Sequence, residues 1–177
     1  NLNGALTVCL ELNISKEKFY TAIQSFKGAS KRLELVKQAN DCVIYKDFAH
    51  SPSKLKATTK ALNNQFPNRK LIACMELHTF SSLNHSFLKQ YNGTMECADK
   101  AFVYFNPDTL KHKKLASISI DEVVAAFASS NVEVLTDSSD LVTKLLNMKW
   151  ENQNLLLMSS GNFDGLDFDE LANRLIG

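Results

Sequence analysis

The sequence predicts an α/β protein: an open, mostly parallel, Rossmann-like sheet with helices on both faces, preceded by two helices. Three observations carry this. From residue 41 to the end, β-prone runs alternate with helical patterns, the order expected when helices cover both faces of a parallel sheet. The runs "LIACM" and "LLLMSS" are apolar almost throughout, as strands buried on both faces must be. Ahead of them, residues 2–26 show only helical spacing.

Each element has a local reason. Leu2, Ala5, Leu6, Val8, Cys9 and Leu12 recur near a helical period. Ser15 then caps a second helix with Glu17 in its first turn, and Gly28 is its expected C-terminal stop. "KGASKR" connects two units, residues 1–30 and 31–177. "LELV" and "CVIY", separated by "KQAND", read as a hairpin-like strand pair. Pro52 opens a helix to about Gln65, where its missing N–H is harmless, with Leu55, Thr58, Ala61 and Leu62 on one face. "KLIACME", "KAFVYF", "VEVL" and "NLLLMSS" are strands. Helices are expected over Ser82 to Tyr91, over "SIDEVVAAFASS" with Ser119 as N-cap, over "SSDLVTKLLNMKW", and over "DFDELANRLI" with an Asp at its start.

Bulk composition excludes several function classes. Twenty basic against nineteen acidic residues give a net charge of +1, which offers no electrostatic capture of nucleic acid or of an anionic membrane. No run approaches the ~20 apolar residues of a transmembrane helix, and no signal peptide is legible. Cys9, Cys42, Cys74 and Cys97 are widely and irregularly spaced, with no CxxC pair to suggest zinc. Cys42 and Cys74, inside apolar strand-like runs, suit small buried thiols, and the cysteine usage suits a reducing, cytoplasmic compartment. The opening "NLNGALTVCLELNI" begins inside a helical pattern and reads as part of a longer polypeptide.

In open α/β sheets ligands bind beyond the C-terminal ends of the strands. The segments "DFAHSP" (47–52), "ELHTFSS" (76–82), "NPD" (106–108) and "SSGNFDG" (159–165) are therefore the candidates. Asp47 could hold a ribose hydroxyl pair or simply end a strand. His50 could serve as a base or as an anion donor. Ser51 could cap the helix that Pro52 opens, whose N-terminus attracts anions. Glu76, His78 and Thr79 sit in the neighbouring loop, and two histidine-bearing loops would face one crevice. Asn162 and Asp164 could line the same edge, while Gly161 and Gly165 could merely permit a turn. Arg32, at the junction of the two units, suits phosphate binding or a solvated linker equally. The glycines form neither a dinucleotide fingerprint nor a P-loop.

Taken together, these stretches resemble the Mur ligases of peptidoglycan synthesis. "FKGASKRLE" resembles the family's F-x-G-x-x-x-R-x-E, "DFAHSP" its D-[YF]-A-H-x-P, and "LMSSGNFDGL" its late M-S-N-G-x-F-x-G loop. "LHTF" lies where the muramate–alanine ligases carry a histidine before a basic segment. Within the family, the resemblance points to the ligases that add L-alanine, or a whole murein tripeptide, to UDP-N-acetylmuramate. It implies a C-terminal domain over residues 31–177, with residues 1–30 as the last helices of an upstream ATPase domain in the same polypeptide. It also implies ATP and Mg2+, with the metal ligands mainly in that upstream domain. Carried over by position, Asn1 would lie near adenine, Arg32 near the ATP phosphates and Asp47 on the ribose. His50, Ser51, His78 and Thr79 would face the incoming amine, with Arg32 and His50 as the catalytic candidates. Two departures stand out: Ser51 replaces a second histidine, and Phe80, Ser81 and Ser82 replace expected arginines, leaving Lys54 as a stand-in. The fragment alone is expected to be inactive. The alternatives are a non-catalytic α/β nucleotide- or peptide-binding module and a folylpolyglutamate synthetase-like ligase domain.

Overall fold

The computed structural model describes residues 2–26 and 28–177. The chain divides into two compact units, Asn1–Ser30 and Lys31–Gly177. In the first, helix α1 (Leu2–Glu11) buries none of its side chains and α2 (Lys16–Ile23) buries only Phe19. Ser15 caps α2 by accepting the Lys18 amide, as its residue type predicts. The helix ends at Ile23 on a right-handed Gln24, so Gly28 is not its stop. Gly28 instead takes a left-handed φ of 95° further along the connection.

The second unit is built on six strands, β1 (Glu34–Gln38), β2 (Val43–Asp47), β3 (Lys70–Glu76), β4 (Lys100–Tyr104), β5 (Val132–Leu135) and β6 (Gln153–Met158). Their order across the sheet is β1-β2-β6-β3-β4-β5. β1 and β2 form the expected antiparallel hairpin, and every other neighbouring pair is parallel. Side chains alternate across the two central strands with the period-2 pleat. Ala73, Met75, Leu156 and Met158 face one core cluster; Cys74, Leu155 and Leu157 face the other.

Helices cover both faces. Leu55 and Leu62 of α3 (Pro52–Gln65), Leu88 of α4 (His85–Leu88) and Val123 and Phe127 of α6 (Ile120–Phe127) join the first cluster. Leu141 and Leu145 of α7 (Ser138–Leu146) and Leu171 of α8 (Phe168–Ile176) join the second. The Ser119 capping box forms in full, with Glu122 reciprocating. Asp167 caps α8 by accepting two amides.

Three details differ from the sequence expectation. On α3 the third buried position is Thr59, whose hydroxyl is satisfied by the Leu55 carbonyl, whereas Ala61 is exposed. The segment from Ser82 to Tyr91 is a single α-helical turn followed by a 3₁₀ turn, Lys89–Tyr91, because its start at Thr79–Ser82 is held in a side-chain-closed turn. A short further helix, α5 (Pro107–His112), follows β4, with Pro at its first turn and Asn106 as its cap.

Candidate functional site

The sheet topology selects one place. The chain leaves β2 and β3 towards the first core face through α3 and α4, and leaves β6, which lies between them, towards the second through α8. Adjacent strand ends whose connections diverge leave a crevice between them. Asp47 is level with Met158, and Met158 with Met75, so Asp47 and Glu76 end the two strands on either side of β6. Two strand spacings put these ends about 10 Å apart.

Asp47 is buried, and a buried carboxylate needs donors. Its Oδ2 accepts the Leu33 amide at 2.7 Å and its Oδ1 accepts the Ala49 amide at 2.7 Å. The Phe48 amide in turn donates to the Lys31 carbonyl at 2.8 Å. These bonds hold Lys31 and Leu33 in left-handed backbone, φ 54° and 43°, conformations that cost a non-glycine residue about 1–2 kcal/mol each. A cleft of about 210 Å³ opens here, lined by Lys31, Lys46, Asp47 and, from the β6 side, Ser159, Gly161 and Asn162. Its two lysines make it suited to an anion, although Lys46 also pairs with Glu34 at 3.1 Å.

The rest of "DFAHSP" forms a stacked edge. The Arg32 guanidinium lies 5.4 Å from the Phe48 ring centroid, and Phe48 meets His50 edge-on at 5.1 Å. His50 Nδ1 is 2.9 Å from the Phe48 carbonyl oxygen, which can only accept, so Nδ1 carries the proton and the neutral ring keeps its lone pair on Nε2. The His50 carbonyl accepts the Tyr91 hydroxyl at 2.6 Å, tying this loop to the 3₁₀ turn. Ser51 occupies the N-cap position of α3 with extended backbone, but its hydroxyl makes no capping bond, against expectation. The cap position fixes the backbone; the hydroxyl's own rotation decides whether it bonds.

At the other strand end, Glu76 is only 3% exposed. Its Oε2 accepts the Ser159 hydroxyl and, at 2.9 Å, the Phe163 amide. Its Oε1 is 3.4 Å from His78 Nδ1. Gly161 packs so closely that a Cβ there would stand 2.8 Å from the Glu76 carboxylate and 3.1 Å from the His78 ring. Glycine is required by this approach, not merely by a turn. Thr79 spends its hydroxyl within its own turn, donating to Ser82 Oγ at 2.9 Å and accepting the Ser82 amide. Asn106 and Asp164, from the loops after β4 and β6, meet at 3.3 Å.

The structure thus gathers Arg32, Asp47 and His50 in one corner and His78 in the next, with the 159–165 loop between them. Asn1 lies outside the described residues. Sequence reasoning assigned no role to Lys31, Lys46 or Ser159, and left Glu76 as a loop residue. An acid closing the otherwise apolar run "LIACME" was the available signal, since a buried charge implies partners. Among the described residues, no three His, Cys, Asp or Glu side chains come together as a metal-binding group. No helix among them is long and apolar enough to cross a membrane.

Fold and site together define an α/β domain with a lysine-lined cleft at its strand ends. The family described as "Mur ligase, glutamate ligase domain" matches residues 31–161, and the chain belongs to it. The UDP-N-acetylmuramate–L-alanine ligase of Clostridium kluyveri is 27% identical over 164 residues, 92% of this chain and 35% of that protein. The chain therefore spans about a third of that relative's length. A murein peptide ligase from Psychrobacter arcticus shares the fold with a TM-score of 0.66 at 22% identity, over 97% of this chain and 35% of that one. The folylpolyglutamate synthase of Mycobacterium tuberculosis, solved with ADP and AMPPCP, shares it with a TM-score of 0.51 at 15% identity, over 82% and 33%.

Proposed function

We propose that residues 31–177 are the amine-receiving C-terminal domain of an ATP-dependent UDP-N-acetylmuramate ligase of peptidoglycan synthesis or recycling, and that residues 1–30 close its upstream ATPase domain. In this reading ATP phosphorylates the muramyl carboxylate. The free amine of L-alanine or of a murein tripeptide then attacks the acyl phosphate, forming the amide and releasing phosphate. Catalysis of this kind is mainly positioning and charge stabilisation. Asp47 would take the ribose with its remaining lone pairs, and Arg32 with the neighbouring lysines would meet phosphate charge. His50, Ser51, His78 and Thr79 would border the incoming amine. Magnesium chemistry would belong to the upstream domain.

The observation that carries the proposal is the cleft at the ends of β2 and β6. It joins Asp47 to Lys31 and Lys46 on one wall and to Ser159 and Gly161 on the other, within the segment that matches the family. The folylpolyglutamate synthase likeness keeps a glutamate-adding ligase as a second reading, and "DFAHSP" favours the muramate side. The test supplies the whole polypeptide with UDP-N-acetylmuramate, ATP and either L-alanine or the murein tripeptide. Phosphate release with one amine identifies the substrate, and release with neither overturns the muramate reading. The 177-residue chain alone is expected to release none.

A further inference from the structure

The Glu76 cluster is more ordered than a strand end requires. An ionised carboxylate can only accept hydrogen bonds, so every proton around it has a fixed direction. The Ser159 hydroxyl gives its single proton to Oε2, and its lone pairs then accept the Gly161 amide at 2.6 Å. The Phe163 amide adds a second donor to Oε2. Beyond it, Phe163, Asp164 and Gly165 all take left-handed backbone, φ 50°, 62° and 87°. Such a run persists only where its surroundings over-determine it. Here these are the buried carboxylate and the Phe163 ring, which is fully buried and stacked on Tyr104 at 6.0 Å.

The same logic reaches His78. Its Nδ1 stands 3.4 Å from Oε1, an atom that can only accept, so that contact favours a proton on Nδ1 and leaves the lone pair of the neutral ring on Nε2. The ring also rests against Gly161, which lines the cleft from its other side. One carboxylate therefore holds a cleft wall and faces a half-exposed imidazole.

We propose that Glu76 is a positioning residue, which holds the 159–165 loop and fixes His78 as its Nδ1–H tautomer, with Nε2 as a proton acceptor beside that loop. The group it would serve is an ammonium that must lose a proton before it can attack; only this last clause rests on the ligase reading.

The test is direct on the 177-residue chain, by long-range 1H–15N NMR of its histidines above neutral pH. In the wild type His78 and His50 are both expected as Nδ1–H. In Glu76→Gln the amide oxygen takes the place of Oε2 and keeps its two donors, which turns the NH2 group towards His78 Nδ1. His78 should then switch to Nε2–H while His50, held by a carbonyl, stays unchanged. In Ser159→Ala, exchange of the Gly161 amide should quicken by about tenfold or more, with the His78 tautomer unaltered. A wild-type His78 already in the Nε2–H form, a tautomer indifferent to Glu76→Gln, or a Gly161 amide indifferent to Ser159→Ala would each overturn the proposal. In the whole ligase, Glu76→Gln should slow amine addition by about tenfold or more, while hydroxylamine-trapped acyl phosphate still forms. Full amine turnover in that variant would also overturn it. A wild type that forms no acyl phosphate would instead remove the ligase reading and leave the NMR result standing.

Discussion

Asp47 and Glu76 are the same device built twice. Each is a buried carboxylate at the C-terminal end of a parallel strand, on either side of β6. Each anchors left-handed backbone, at Lys31 and Leu33 in one case and along Phe163 to Gly165 in the other. They differ in their partners. Asp47 is held by two main-chain amides, from Leu33 and Ala49. Glu76 is held by one main-chain amide and one hydroxyl, with an imidazole 3.4 Å from its other oxygen. A carboxylate bound by backbone is insensitive to its neighbours' side chains and works as a rigid fixture. One bound by side chains passes its orientation on to them, and can be retuned by changing them.

Deleting each carboxylate should separate the two. Asp47→Ala leaves two inward amides without acceptors, each worth about 1–3 kcal/mol, so a loss of about 2–6 kcal/mol is expected in urea denaturation of the chain. Glu76→Ala orphans one amide, while the Ser159 hydroxyl can rotate to another acceptor, so about 1–3 kcal/mol is expected. The His78 tautomer should respond to the second variant and not the first. An equal response to both would erase the distinction.

Gly161→Ala presses on the Glu76 side alone. The new methyl would stand 2.8 Å from a carboxylate oxygen that is already engaged, so neither can yield cheaply. Overpacking of this kind costs about 1–3 kcal/mol. The loss should be accompanied by faster exchange at Phe163, with Leu33 and Ala49 unchanged. Comparable loosening at Leu33 would mean that the two anchors are one cooperative unit.

This asymmetry also explains what could be read from the sequence. The order of strands and helices was legible because the apolar runs of β3 and β6 and the caps at Ser15, Ser119 and Asp167 are local signals. The Asp47 corner was legible because Asp47, Phe48 and His50 fall within one six-residue stretch. The Glu76 hub was not, because its partners Ser159 and Phe163 lie 83 and 87 residues away and meet it only once β6 inserts beside β3. Helix α5 is too short to show periodicity, although Pro107 and the Asn106 cap were in view.

Alkaline titration gives a finer reading of the same pair. Burial pushes the Tyr104 phenol up from 10.0 to about 12; Asp164 and then Glu76 add to the rise, and the Asn106 hydrogen bond opposes it. The fold favours the neutral phenol, so this contribution to stability is complete below pH 10 and is lost as pH rises to about 12. Glu76→Gln removes one of the opposing charges and should let Tyr104 ionise at slightly lower pH in a 13C-tyrosine titration. Asp47 is not among the causes, and Asp47→Asn should leave Tyr104 where it is. A Tyr104 titration that moves with Asp47→Asn would couple the two corners electrostatically.

The smallest effect concerns Ser51, which lies on the Asp47 side. Ser119 closes a complete capping box, and its replacement by Ala should cost about 1 kcal/mol. Ser51 holds the same position on α3 without a capping bond, so Ser51→Ala should change stability by less than about 0.5 kcal/mol. Paired urea denaturation of the two variants decides this. A cost matching that of Ser119→Ala would show that the hydroxyl caps α3 in solution and has no need of another partner. A silent Ser51→Ala leaves a serine hydroxyl at a helix start beside His50 with no structural task. Under the proposed ligase reading, that variant in the whole polypeptide should then raise KM for the amine substrate while leaving KM for ATP alone, because the proposed nucleotide corner is fixed by Asp47 through the Leu33 and Ala49 amides, which Ser51 does not touch.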